Sequence, residues 1–287
     1  MRAFSRTLQI FHGEYFVVDE PWRAPLEAAG IAAGKKWMRA VGDQLVSYSP
    51  ATRCFRHRLS DQRTVYFKRY VYKKSHWLEF WMRAGKAGVE VFAYQHLAKL
   101  GIPTLEPVAY GEYRRFGMLL GTFIVTVELP NAVELRKFAV KTWYLMPEPQ
   151  RSEVYREIAQ KLVEQLRRAH AAGFFHHDLK WRNILIQEDE SGYTPVWIDA
   201  PRADVKHLRR KRGVMVDLSG LARMGMSVLS VYARMRFICQ YLGRERKPGD
   251  AKRLFLQVAA HLSRRPPKPV QLPDRTQAVP ALPEGPK

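Results

Sequence analysis

The chain has 287 residues, 46% of them hydrophobic and 12% aromatic, which is enough to bury a sizeable core and excludes disorder over most of its length. Its 48 Lys plus Arg against 27 Asp plus Glu give a net charge of +21. That field disfavours cationic ligands and attracts polyanions: nucleic acid, anionic lipid headgroups or phosphorylated glycolipid. The two cysteines, Cys54 and Cys239, form neither a disulfide framework nor a metal-spaced pair, and neither a long apolar span nor a signal peptide is read, so a cytoplasmic protein is expected.

Along the chain, Tyr15–Val18 alternates as a strand does, and Lys35–Arg39 is a basic stretch. Three strands are expected at 45–48, 54–59 and 64–72, with 60–63 as a hairpin loop. A helix over 89–100 places Val89, Phe92, Leu97 and Leu100 on one face and stops at Gly101. Two further strands, Met118–Leu120 and Phe123–Val127, are expected on either side of Gly121, followed by a candidate hinge at Leu129-Pro130-Asn131. A helix capped by Ser152 carries Val154, Ile158, Leu162 and Leu166 at four-residue intervals and stops near Gly173. The apolar runs 184–186 and 196–198 flank a polar turn. A largely helical stretch runs over 214–242, and another helix over 251–262. Arg265–Lys287 holds 7 of the 18 prolines and reads as an extended or disordered tail.

The sharpest motif is His176-His177-Asp178-Leu179-Lys180-Trp181-Arg182-Asn183. It sets a carboxylate and a carboxamide five residues apart in a loop. Phosphoryl transfer needs a carboxylate to orient an attacking hydroxyl and oxygen ligands for magnesium; Asp178 suits the first role and Asn183 the second. Asp199, at the end of Val196-Trp197-Ile198, suits the main metal ligand. This resembles the catalytic loop and metal Asp of the protein-kinase superfamily. The resemblance implies that Lys180 contacts the transferred phosphate, that Lys68 holds the α- and β-phosphates, and that Glu90 pairs with Lys68. It also implies that the backbone of Glu128–Asn131 meets adenine. Taken singly, each has a plainer reading: Lys68 a surface strand residue, Glu90 a helix N-terminal acid, His176 a loop brace, Asp199 a turn cap.

Three departures separate the chain from protein kinases. Val46–Thr52 lacks the glycines of a phosphate loop, Asp199 is followed by Ala200-Pro201 rather than Phe-Gly, and no Ala-Pro-Glu segment follows. A small-molecule or glycolipid acceptor is preferred over a protein. The runs Gly173–Leu185, Ile198–Ala203, Gly101–Gly111 and Arg209–Leu221 resemble the lipopolysaccharide core kinases of the Kdo/WaaP type, over roughly Thr64 to Leu242. This implies an α+β, bilobal protein-kinase-like fold: a strand-rich lobe over 1–128, a mainly helical lobe over 129–264 and the tail. It also implies ATP and Mg2+ as cofactors, a heptose or Kdo hydroxyl as acceptor, and work at the cytoplasmic face of a Gram-negative inner membrane. Arg202, Lys206, Arg209 and Arg210 follow the metal Asp and would grip acidic groups of the acceptor, or else form a solvated basic loop. Asp217 is expected to brace the catalytic loop. Two other readings are a kinase-fold enzyme with another acceptor and a pseudokinase regulating envelope assembly. A nucleic-acid partner is not expected, because it leaves the motif unexplained.

Overall fold

The computed structural model describes residues 11–273 except 33, 74–78, 82, 191, 207, 209, 244, 265 and 267–269. The expected Pro-rich tail therefore lies almost wholly outside the described residues, as does Arg209. Two compact units emerge: Met1–Pro130 with Phe174–Asp178 and Trp197–Lys206, and Asn131–Gly173 with Leu179–Val196 and His207–Lys287.

The first unit is built on a six-stranded antiparallel sheet. Its strands are β1 (Gly13–Val18), β2 (Gln44–Ser49), β3 (Thr52–Arg58), β4 (Thr64–Val71), β5 (Pro107–Arg115) and β6 (Met118–Val127), in the order β1-β5-β6-β4-β3-β2. Strand periodicity splits β4 between two layers. Val65 and Phe67 face a core with Leu26, Trp37, Phe55 and Phe123. Tyr70 faces a second core with Val91, Tyr94, Tyr110 and Ile124. The first layer is closed by α1 (Glu20–Ala28) and a short 3-10 turn, Gly34–Met38, whose Trp37 is fully buried. The second is closed by α2 (Lys86–Lys99).

Helix α2 ends in a Schellman motif: Gly101 has φ +63, its N–H meets the Ala98 carbonyl, and the Ile102 N–H meets that of Leu97. Its buried face is not the expected one. Ala87, Glu90, Val91, Tyr94 and Leu97 are buried, whereas Val89 and Phe92 are half-buried. Apolar spacing pointed elsewhere because the buried face carries an acid and a phenol that only tertiary partners satisfy. The expected pair of strands around Gly121 is one continuous strand, β6. Gly121 stays in the ladder opposite Val71 because the Trp37 ring occupies the space of a side chain; a Cβ there would lie 2.9 Å from that ring.

In the second unit, β7 (Ala132–Glu134), β9 (Ile184–Asp189) and β10 (Gly192–Trp197) form a small sheet in the order β10-β9-β7, beside α3 (Leu135–Lys141). Helix α4 (Gln150–Ala171) buries Val154, Ile158, Leu162 and Leu166 as its spacing requires. It starts two residues before Ser152, because the Pro147 and Pro149 carbonyls take the first-turn N–H groups of Arg151, Ser152 and Glu153. The stretch expected to be largely helical over 214–242 is two helices, α5 (Arg210–Val228) and α6 (Val231–Leu242). Ser230 caps the second by accepting from the Ala233 N–H. Helix α7 (Asp250–Ser263) completes the unit. A two-stranded ladder, β8 (Phe174–Phe175) with β11 (Asp204–Val205), belongs to the first unit.

Candidate active site

Lys68 lies on the α2 side of β4, directly opposite Cys54 on β3 and Ile124 on β6. Its Nζ is 2.9 Å from Glu90 Oε1 and 2.6 Å from Asp199 Oδ1. Three residues named from the sequence are thus brought together by a strand, a helix and a loop far apart in the chain. Burial alone would discourage the Lys68 ammonium, but Glu90 and Asp199 outweigh it and hold its pKa above the ordinary lysine value. For Glu90, burial dominates and raises the carboxyl pKa against the pull of Lys68.

Two tyrosines complete this network. Tyr70 Oη donates to Glu90 Oε2 at 2.5 Å, and Tyr94 Oη donates to Glu90 Oε1 at 3.2 Å. Tyr94 Oη also accepts the Asp199 N–H at 3.0 Å. One phenol therefore joins α2 to the Asp199 segment, where Asp199 stands at φ +58, a left-handed conformation unusual for a non-glycine. Sequence reasoning missed both tyrosines. Their signal is spacing: Tyr70 is two residues from Lys68 on the same strand face, and Tyr94 is one helical turn from Glu90. Cys54, beside the trio, has its thiol pKa pushed up to about 11 by burial, so it is a poor nucleophile.

Asp178 is half-buried in the same unit. Fully buried His176 ties it to the Asp199 segment: one ring nitrogen takes the Asp178 N–H at 3.3 Å, and the other reaches the Ile198 carbonyl at 3.1 Å. That pairing requires the tautomer protonated on Nε2. His177, at φ +61, meets Asp204 at 2.8 Å, and Asp204 also holds Lys206 at 2.7 Å. Loop and segment are stitched a second time by the β8–β11 ladder.

Lys180 and Asn183 fall in the second unit, where the Asn183 N–H meets the Lys180 carbonyl at 2.8 Å in a 3-10 turn. Helix α5 presses on this turn. A Cβ on Gly220 would lie 2.5 Å from the Leu179 carbonyl oxygen, and Trp181 Nε1 donates to the Leu221 carbonyl at 2.9 Å. Buried Asp217 faces His170 of α4 at 3.4 Å.

The remaining named residues have local work. The Glu128 carboxylate receives Arg56 through two bonds of 2.6 and 3.0 Å, and its N–H is committed to the Thr64 carbonyl. Arg210 donates to the His170 and Ala171 carbonyls at the end of α4, a helix-capping role. Arg202 is exposed. Among the described residues no three His, Cys, Asp or Glu side chains cluster as a metal cage. Carboxylate and carboxamide oxygens are hard donors of the kind that magnesium takes.

The fold is that of the protein-kinase-like class. A solved structure titled WaaP in complex with acyl carrier protein superposes with a TM-score of 0.66, covering 87% of this chain and 98% of that one at 21% identity. The family model for the lipopolysaccharide kinase (Kdo/WaaP) family matches residues 36–241, well over half the chain, and the protein belongs to that family. The match begins before Thr64 because the 34–38 turn and the β2–β3 hairpin are integral to the sheet. Two relatives are the lipopolysaccharide core heptose(I) kinase WaaP of Pseudomonas aeruginosa and the 3-deoxy-D-manno-octulosonic acid kinase of Vibrio cholerae serotype O1. The first is 28% identical over 53% of this chain and 58% of its own length; the second is 28% identical over 43% and 46%. The chain thus spans about half the length of these relatives.

Proposed function

We propose that this protein transfers the γ-phosphate of ATP to a heptose or Kdo hydroxyl of the lipopolysaccharide inner core. The observation that carries the reading is the Lys68–Glu90–Asp199 trio in one unit with Asp178, in a member of this family. In this reading Asp178 accepts a hydrogen bond from the acceptor hydroxyl, and Lys180 steadies the moving phosphoryl group. Lys68, aligned by Glu90, holds the α- and β-phosphates. Asp199 and Asn183 are the magnesium ligands, and the metal supplies neutralisation of phosphate charge. With its N–H committed to Thr64, Glu128 keeps only its carbonyl among backbone groups for adenine, and the rest of 128–131 shares that contact.

Arg202, Lys206 and Arg209 are the acceptor-gripping candidates, Lys206 being held by Asp204 and Arg209 lying outside the described residues, and the reading sets the protein at an anionic cytoplasmic membrane face. No helix among the described residues is long and apolar enough to cross a membrane. A protein partner is a second part of the reading, since the solved WaaP structure that superposes on this chain is a complex with acyl carrier protein. The helical unit has an apolar cavity of about 150 Å³ lined by Phe138, Trp143, Trp181, Arg234, Phe237 and Phe255, which suits an acyl chain. Titration with acylated against unacylated carrier protein tests this.

The decisive experiment is transfer of labelled γ-phosphate to dephosphorylated core, with wild type beside Asp178→Ala. Label with wild type alone supports the reading. Equal label with both removes Asp178 as base, and no label with either, while magnesium–ATP still binds, overturns the acceptor assignment.

A further inference from the structure

The turn between β5 and β6 is built against its own preferences. Arg115 pairs with Met118, so Phe116 and Gly117 alone form the loop, at φ +51 and +77. Two positive φ values define a type I′ turn, whose first position favours Asn, Asp or Gly. A phenylalanine there is strained, and it is 56% exposed. Nothing is gained for the core by placing it there.

Two other aromatics from distant segments join it. Trp81 is 50% exposed and donates from Nε1 to the Phe116 carbonyl at 3.1 Å; Phe11 is 51% exposed and its carbonyl takes the Gly117 N–H at 2.8 Å. Both rings close over Gly117, where a Cβ would lie 2.6 Å from Trp81 Nε1 and 3.2 Å from Phe11. Beneath them, fully buried Arg114 binds the Gly117, Phe80 and Arg83 carbonyls at 3.1, 3.3 and 2.5 Å, its charge met by Glu112 at 2.7 Å. The cluster is therefore a fixed platform. Arg115 lies over the Phe116 ring, and exposed Arg83 and Lys73 flank the cluster along the chain; Glu79 is the one exposed acid among the described residues of 71–83 and 111–118. Gly117 is seven positions along β6 from the partner of Lys68, about 23 Å at strand rise, so the patch is distinct from the site.

We propose that Phe11, Trp81 and Phe116 form a membrane-contacting patch that enters the headgroup region of an anionic bilayer. The inference rests on the reading of a membrane-embedded acceptor and names the surface that would reach it. Exposed aromatics with a basic rim are the composition that partitions to an anionic lipid interface. A second copy of the chain is a poorer occupant, because a two-fold pairing would set the basic rim against itself.

Flotation of the full chain with phosphatidylethanolamine–phosphatidylglycerol vesicles, without nucleotide, tests this against phosphatidylcholine vesicles. Wild type binds the anionic vesicles and salt weakens it. Phe116→Asn loses about tenfold in partitioning, the worth of burying half a phenyl side chain. Because Asn suits the turn, its melting temperature holds or rises. Trp81→Ser weakens binding similarly, while Tyr232→Ser, 88% exposed in the other unit, does not. Equal partitioning of wild type and Phe116→Asn overturns the proposal, as does binding indifferent to lipid charge. So does a concentration-dependent dimer abolished by Phe116→Asn without vesicle binding. Phosphoryl transfer to detergent-dispersed core stays at wild-type rate in Phe116→Asn, so failure of the patch and failure of the kinase reading are read separately.

Discussion

Tyr94 carries two hydrogen bonds on one hydroxyl, to Glu90 and from Asp199. Removing that hydroxyl leaves the Asp199 N–H without its partner while the phenyl ring still fills the core. Tyr94→Phe is therefore expected to lower kcat about tenfold, near the upper worth of one hydrogen bond, with a smaller change in melting temperature. Steady-state kinetics at varied magnesium would show it, and an unchanged kcat would make Tyr94 a packing residue only. Lys68 presents the opposite balance. Lys68→Met leaves Glu90 buried and uncompensated, costing on the order of 3 kcal/mol or more, whereas Lys68→Met with Glu90→Gln should recover stability without activity. Denaturant unfolding of both variants beside ATP binding separates the effects. Lys68, Glu90 and Asp199 were legible as a motif in order along the chain. Tyr70 and Tyr94 were not, since their value lies in who faces them.

At the scale of elements, glycines mark where one segment leans on another. Gly121→Ala would push a methyl into the Trp37 ring, an overpacking that costs about 1–3 kcal/mol, read as a lowered denaturation midpoint. Gly220→Ala would meet the Leu179 backbone, next to Asp178, so transfer should fall more than stability does. Activity and melting temperature measured together decide it. The Arg56–Glu128 pair ties β3 to the end of β6, and Arg56 holds the Glu128 carboxyl below its ordinary value. A depressed carboxyl contributes stability above its unfolded pKa and loses it as pH falls through the folded value. The denaturation midpoint of Glu128→Gln should thus lie slightly below wild type at about pH 7 and converge with it near about pH 3. Strands 45–48, 54–59 and 64–72 were legible from alternation. Helix α1 was not: Pro21 and Pro25 lie within its nine residues, and two prolines in so short a stretch read from sequence as a helix break. Helix α3, at seven residues, is too short to show a repeat.

For the whole molecule, the +21 charge acts on anything anionic at long range. If the acceptor is an anionic glycolipid, its KM should rise with added salt much more than that of ATP, because screening weakens exposed contacts before enclosed ones. Equal salt dependence would argue that the basic surface serves solubility alone. The sequence by itself determined the kinase-like class, the motif from His176 to Asn183, Asp199 and the strand lysine, because phosphoryl transfer demands particular groups at particular spacings. It also determined the elements with strict periods. Only the tertiary structure decided which face of α2 is buried, that β6 runs unbroken past Gly121, that Arg210 caps a helix, and that Tyr94 reaches Asp199. The reason is physical: local spacing reports what a segment prefers, while buried polar groups follow partners tens of residues away.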